Sequence, residues 1–280
     1  MGRRTPLVTK EWIERRIKAG YGSGEGANYK PWLVVQSFSS RGRVHRLRGW
    51  KHNRVHHLFS DGERNSYLYY VRPKRVGDIR EQYPLLPIEE TVEIAKAIGV
   101  RHPTDPRTKH PIVMTTDFLL TVDETTRSVF HPRTFKYLKD LRHARTLEKL
   151  EIERRYWLAS PRNFQLKIIT EEYISEAYVK NMLWFYSCYR LAELHPLMER
   201  DINQIALMLT SLVFEGVSPL RTVAQNCDRI LKLNQGTSLI VVRHLLAISH
   251  WEVDLNSRIS TSNPVILLQE PQINVYARGE

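Results

Sequence analysis

Three residues of the 280-residue chain are of the types, and in the settings, that phosphodiester chemistry needs. Glu63 opens a helix. Ser60-Asp61-Gly62-Glu63 fits an S-x-x-E capping box, apolar Tyr67, Leu68 and Val71 follow at helical spacing, and Pro73 ends the run. Asp117 stands inside an apolar strand, Met114 to Leu120, where a carboxylate is costly to bury without a cation or hydrogen-bond donors. Lys136 follows on the next strand, within Arg-Thr-Phe-Lys-Tyr. An acid on a helix, an acid on a strand and a lysine on the paired strand suit magnesium-dependent phosphodiester hydrolysis. Carboxylates hold Mg²⁺ through hard oxygens and leave water in the other positions. The metal activates a water, and the lysine steadies the nucleophile or the charged transition state. Each residue also has a plainer reading: Glu63 as a capping acid, Asp117 as a turn or edge residue, Lys136 as a surface lysine on an edge strand.

Other chemistries lack their signatures. There is no G-x-S-x-G elbow, no H-E-x-x-H and no dinucleotide-binding glycine fingerprint. The glycine-rich stretch 20–29 has no strand before it and no G-K-[ST] after it, so it reads as a loop. His45, His52, His56 and His57 lack zinc-ligand spacing and sit among arginines, which points to packing or phosphate contact. Cys188 and Cys227 belong to no C-x-x-C pair and read as small buried hydrophobes, in keeping with a reducing cytoplasm.

The elements that must position the three residues follow from periodicity. A helix over 11–19 carries Trp12, Ile13 and Ile17 on one face, and residues 32–37 and 44–47 read as strands. Beyond the helix begun at Ser60, residues 76–87 are extended and 89–98 helical. Strands at 111–122 and 128–138 flank a turn at Asp123–Thr126. A charged periodic helix at 144–158 has Glu148 and Ile152 on its inner side and Arg154 and Arg155 facing out, and a strand at 164–170 follows it. This order describes an α/β domain with a mixed sheet over residues 1–170. Residues 171–280 form a second, mainly helical domain. Its helices lie at 174–192, 200–214, 219–232 and 236–249, the last three in a helix-turn-helix-like series. Val265–Leu268 and Ile273–Tyr276 are candidates for a β-wing. The last helix offers Thr237, Ser238 and Arg243 to a groove, but it is mostly apolar, which favours burial or partner binding over base reading.

The net charge of +12 is concentrated: residues 1–60 hold thirteen lysines and arginines against three acids. Charge of one sign at that density destabilises a compact state unless a polyanion lies against it, and nucleic acid is the usual polyanion. Arg15 and Arg16 on the first helix, and Arg145 and Lys149 at the start of the long one, are the candidate phosphate contacts; a solvated basic surface is the alternative. No apolar run approaches the ~20 residues of a membrane span and no secretory leader is visible, so a soluble, cytoplasmic protein without membrane partners is expected.

Five stretches then carry a resemblance: YKPWL (29–33), RVHHLFSDGE (54–63), DIREQYPLLP (78–87), TTDFLL (115–120) and RTLEKLEIERRYW (145–157). In this order they are similar to TnsA-like endonucleases, subunits of heteromeric cut-and-paste transposases, over most of residues 10–190. The resemblance implies a restriction-endonuclease-like first domain and a winged-helix-like second one. It places the catalytic glutamate at Glu63, the aspartate at Asp117 and the lysine at Lys136. Mg²⁺, or Mn²⁺ in its stead, would be held by Glu63, Asp117 and the carbonyl of Phe135. Nucleases of this fold carry Glu or Gln two residues before the lysine; Thr134 stands there, and its shorter, uncharged reach implies weaker metal binding or an intervening water. The resemblance further implies a DNA-associated bacterial protein that cuts the 5′ ends of an element. A TnsB-like DDE transposase would cut and join the 3′ ends, and a TnsC-like ATP-binding regulator would contact the C-terminal part. The competing expectations are a DNA-binding assembly factor whose catalytic site has decayed at Thr134, and a stand-alone restriction or repair nuclease.

Overall fold

The computed structural model of the chain describes residues 6–37, 42–125, 127–159, 161–194, 196–214, 217–272 and 274–276. Thr126 of the expected turn and Ile273 of the expected wing lie outside them, as do Arg3, Arg4 and Arg41 of the basic arm. The chain divides into two compact units, Met1–Ile174 and Ser175–Glu280.

In the first unit, α1 (Lys10–Lys18) starts at Thr9, whose hydroxyl accepts from the Trp12 amide. A hairpin, β1 (His45–Arg48) and β2 (Val55–Leu58), precedes α2 (Asp61–Val71). Then come β3 (Val76–Pro84), α3 (Ile88–Ala97), β4 (Thr115–Asp123), β5 (Ser128–Phe135), α4 (Ala144–Leu158) and β6 (Lys167–Ile169). The sheet order is β3-β4-β5-β6, antiparallel through β5 and parallel from β5 to β6, so the sheet is mixed as expected. Alternation along β4 sends neighbouring side chains to opposite faces. Phe118 meets Tyr70 of α2 edge-on at 5.6 Å, while Leu119 packs with Tyr156 and Trp157 of α4. The sheet is therefore covered by α2 on one face and α4 on the other. On α4 the exposed side is laced by Arg145–Glu148 and by Glu151 with Arg154 and Arg155, and Leu150, Ile152, Tyr156 and Trp157 are buried.

Covering on both faces explains why β3 holds buried Asp78, Arg80, Glu81 and Gln82. Glu81 is fully buried and carries charge because its partners are complete. Arg54 of the hairpin loop donates to it at 2.7 and 2.8 Å, His56 lies 2.8 Å away, and the His57 amide donates at 3.1 Å. Burial pushes its carboxyl up, but His56 and Arg54 overcome that and hold it well below the usual range. This network fastens the β1–β2 hairpin to β3. The histidine run serves packing: His56 is buried here, His45 binds Asp61 and His52 binds the Gly77 carbonyl.

Several expectations shift. Residues 32–37 form no strand, because the Trp32 amide donates to the Gln82 carbonyl and Ser37 closes a turn on Val34. Strand β2 was not anticipated, the expected strand at 164–170 pairs only over Lys167–Ile169, and Lys136 lies one residue past the end of β5. In the second unit, α5 (Glu176–Phe185), α6 (Glu199–Phe214), α7 (Leu220–Ile230) and α8 (Thr237–Ala247) follow the expected helical order. The first of these helices is shorter than expected and gives way to 3₁₀ turns from Tyr186. Helix α8 is the core of this unit: Ser238, Val241, Val242, Leu245 and Leu246 are buried and Arg243 is tied to the Trp184 carbonyl. That burial corrects any reading of it as a groove-entering helix. The expected wing strand at Val265–Leu268 is not formed, with Ile266 and Leu268 turned to solvent, and the described residues of this unit contain no strand. Cys188 and Cys227 are buried and free. No helix of the described residues is long and apolar enough to cross a membrane.

Candidate active site

Glu63 reaches the site from the first turn of α2. Ser60 caps the helix by accepting from the Glu63 amide at 3.0 Å, which fixes that turn. The Glu63 carboxylate in turn accepts from the Phe59 amide at 2.9 Å and the Ser60 hydroxyl at 3.3 Å, and from the side-chain amide of Gln82 at 3.1 Å. Glu63 thus caps the helix and at the same time lies within electrostatic reach of Asp117 and Lys136, so capping does not exclude a place in the candidate site. Gly62 makes this approach possible. A Cβ there would fall inside the ring of Phe135, so α2 rests directly on the residue that separates Thr134 from Lys136.

Asp117 projects from β4 toward the end of β5. Its Oδ2 accepts from the Phe135 amide at 2.7 Å, the Thr134 hydroxyl at 2.9 Å and the Lys136 ammonium at 3.4 Å. Lys136 also donates to Thr134 Oγ1 at 3.1 Å and to the Phe135 carbonyl at 2.7 Å. One ammonium therefore sits on three oxygens from three residues, which is where cationic charge is called for. Thr134, expected to weaken the site, orients both Asp117 and Lys136.

A fourth residue escaped the sequence reading. Glu153 lies on the buried side of α4, 4% exposed, and its Oε1 has no hydrogen-bond partner among the described residues. Burial, with Asp117 nearby, pushes its carboxyl up to about 8, against the pull of Lys136 and a hydrogen bond from Thr116. Burial, with Asp117, also raises Glu63 to about 8, opposed by the Phe59 amide and Lys136. Burial alone would pull Lys136 down; Asp117, Glu153 and Glu63 together hold it above its ordinary value. Three acids thus lie around one cation, and burial favours the neutral form of Glu63 and Glu153.

This donor set fits a hard divalent cation. It offers carboxylate oxygens from Glu63 and Asp117 and a carbonyl oxygen from Phe135, and Mg²⁺ typically takes one or two carboxylates and fills its remaining positions with water. The described residues contain no cluster of three or more His, Cys, Asp or Glu of the kind that encloses a metal, so any cation here would rest on these few oxygens and solvent.

The basic candidates separate. Lys149 is exposed on α4 one turn before Glu153, and partial burial, with Arg145 and then Lys136 nearby, lowers its pKa. Arg145 is partly exposed and bound to Glu148 at 2.6 Å. Arg15 is exposed on α1 and donates to the Glu11 carbonyl at 3.3 Å. Arg16 does not join them. It is 8% exposed, its guanidinium stacks 3.6 Å above the Tyr21 ring between Trp12 and Trp32, and it donates to the Trp32 carbonyl. The aromatic residues around it turn this arginine into a core residue.

Residues 74–171 match the family described as TnsA-like endonuclease N terminal, and residues 174–255 match TnsA endonuclease C terminal. Asp117, Lys136 and Glu153 fall inside the first match, and Glu63 precedes it. The chain is also 37% identical over 235 residues to the transposon Tn7 transposition protein TnsA of Escherichia coli, which covers 84% of this chain and 82% of that one.

Proposed function

Because the chain belongs to the TnsA endonuclease family, we propose that it is the metal-dependent nuclease of a cut-and-paste transposition system, cleaving the 5′ ends of the element. The observation that carries this reading is the contact of Lys136 with both Asp117 and the Phe135 carbonyl, with Glu63 close enough to feel the charge of Asp117 and Lys136, where α2 rests on the end of β5. Glu63, Asp117 and that carbonyl would hold Mg²⁺, or Mn²⁺ in its place. When bound, the cation neutralises charge at the scissile phosphate and makes water a better nucleophile. Lys136, kept protonated by the surrounding acids, supplies an ammonium to the developing negative charge. In-line attack leaves a 5′-phosphate and a 3′-hydroxyl. The restriction-endonuclease-like fold is the architecture this arrangement suits.

The DNA backbone would run past Lys149 and Arg145 and onto the basic segment that includes Arg15; such phosphate contacts position DNA without reading its sequence. Because α8 is packed inside its unit, we assign the C-terminal domain chiefly to partner binding. Exposed Met198, Leu207, Phe214 and Val217 supply apolar surface for it. The partners would be a TnsB-like DDE transposase, which processes the 3′ ends, and a TnsC-like ATP-binding regulator.

The test is nicking of labelled transposon-end DNA in Mg²⁺ with the partner transposase present. The wild-type chain should nick the 5′ strand, and Asp117→Ala should bind the DNA without nicking it. Equal nicking by both would remove Asp117 from the metal site; nicking by neither would favour a DNA-binding assembly factor.

A further inference from the structure

Strand β3 departs from regular pairing at Gly77, where the register shifts between Val76 and Asp78, and again at Gln82. Glu81 pairs with Phe118 and Tyr83 with Thr116, which leaves Gln82 opposite Asp117 without a regular partner. Gln82 has φ +50°, in the left-handed region that a residue with a side chain enters only at a conformational cost. Strain of this kind persists where the surroundings over-determine it, and it gathers at functional sites. Here the surroundings are explicit. The Gln82 carbonyl accepts from the Trp32 amide at 3.2 Å, and the side chain is buried. The Thr115 hydroxyl donates to Gln82 Oε1 at 3.3 Å, which fixes the amide so that its NH₂ faces Glu63 Oε2 at 3.1 Å.

The other donors to the Glu63 carboxylate, Phe59 N and Ser60 Oγ, lie three or four residues before it in the chain. They can fix the carboxylate only relative to the start of its own helix. Gln82 comes from the sheet, from the position facing Asp117. We propose that Gln82 is a positioning residue: its left-handed backbone turns the side-chain amide onto Glu63 and holds that carboxylate on the side of Asp117, where the two would share a divalent cation. Groups that orient metal ligands in this way typically contribute roughly 10- to 100-fold in metal affinity or activity. The proposal rests on Glu63 and Asp117 being the metal ligands, as argued above.

Gln82→Gly separates this role from that of the backbone, because glycine accepts φ +50° without cost while the side-chain amide is lost. In the full chain without DNA, Mn²⁺ affinity measured by calorimetry should fall about 10-fold or more in Gln82→Gly while circular dichroism shows the protein still folded. Gln82→Glu, which sets a carboxylate against Glu63 in place of a donor, should lose the amide's effect while keeping its length. In nicking assays with the partner transposase, the Mn²⁺ concentration for half-maximal rate should rise by the same factor, and saturating Mn²⁺ should restore most of the rate. Gln82→Asn, which tolerates a left-handed backbone and keeps a shorter amide, should recover part of the affinity. Unchanged Mn²⁺ affinity in Gln82→Gly would overturn the assignment. Asp117→Ala is the control: if it binds Mn²⁺ as the parent does, the metal-site reading itself fails and this proposal falls with it.

Discussion

Replacing Glu153 by glutamine should make the protein more stable, by an amount that depends on pH in a defined way. The carboxyl is buried on α4 and pushed up to about 8 from an ordinary 4.5. Below pH 4.5 both folded and unfolded chains hold its proton, so the group contributes nothing. Between 4.5 and 8 the unfolded chain releases a proton that the folded one retains, so folding loses about 1.4 kcal/mol per pH unit. Above 8 the loss is constant. At pH 7 the accumulated cost is about 3 kcal/mol, at pH 6 about 2 and at pH 5 under about 1. A glutamine side chain is neutral throughout and of the same shape, so Glu153→Gln should escape this cost; Glu63 is present in both proteins and cancels in the difference. Urea denaturation in EDTA at pH 5, 6 and 7 reads it directly. A stability difference that stays constant across that range would show that folding does not shift the Glu153 carboxyl and would refute the claim that burial keeps its proton in place.

Gly62→Ala should destabilise the first unit by about 1–3 kcal/mol in thermal melts, because the new methyl displaces the Phe135 ring, and it should slow nicking even at saturating metal. Arg16→Ala should cost a comparable ~1–3 kcal/mol through lost ring stacking and a lost hydrogen bond, yet leave the salt dependence of DNA affinity unchanged in fluorescence anisotropy. Lys149→Gln should do the reverse, with stability within about 0.5 kcal/mol and a salt slope shallower by about 0.9. Mn²⁺ binding at pH 7 should release close to one proton, because Glu63, raised to about 8, must give up its proton to serve as a ligand; calorimetry in two buffers of different ionisation enthalpy measures the number.

What the sequence disclosed about the site were residues whose role is announced by near neighbours. The capping box around Ser60 marked both the start of α2 and Glu63, and the bare charge of Asp117 in an apolar strand marked a carboxylate in need of donors. Glu153 was hidden because it lies in a helix rich in acids, where Glu148 and Glu151 pair with arginines on the surface. A signal did exist. Leu150, Glu153, Tyr156 and Trp157 share one helical face, and an acid on an apolar stripe is a candidate for function. Arg16 failed in the opposite direction. Charge alone groups it with Arg15, although adjacent helical residues point about 100° apart and Arg16 falls beside Ile13 on the buried side.

The left-handed residue at 82 could not have been read from the chain at all, and the reason is physical. Glycine or asparagine would have marked such a backbone, but those residues relieve the strain without supplying a long side-chain amide. Glutamine at this position makes sense only once Asp117 is known to lie across the sheet from it and Glu63 to lie within reach. The same holds for Glu81, whose buried charge depends on Arg54 and His56, 27 and 25 residues earlier in the chain. In both cases a polar residue in a covered strand looks like an error of patterning until its distant partners are seen. Consecutive buried polar residues at 80–82, in a strand with turn residues at both ends, are therefore better taken as a sign that something is held there than as evidence against a strand.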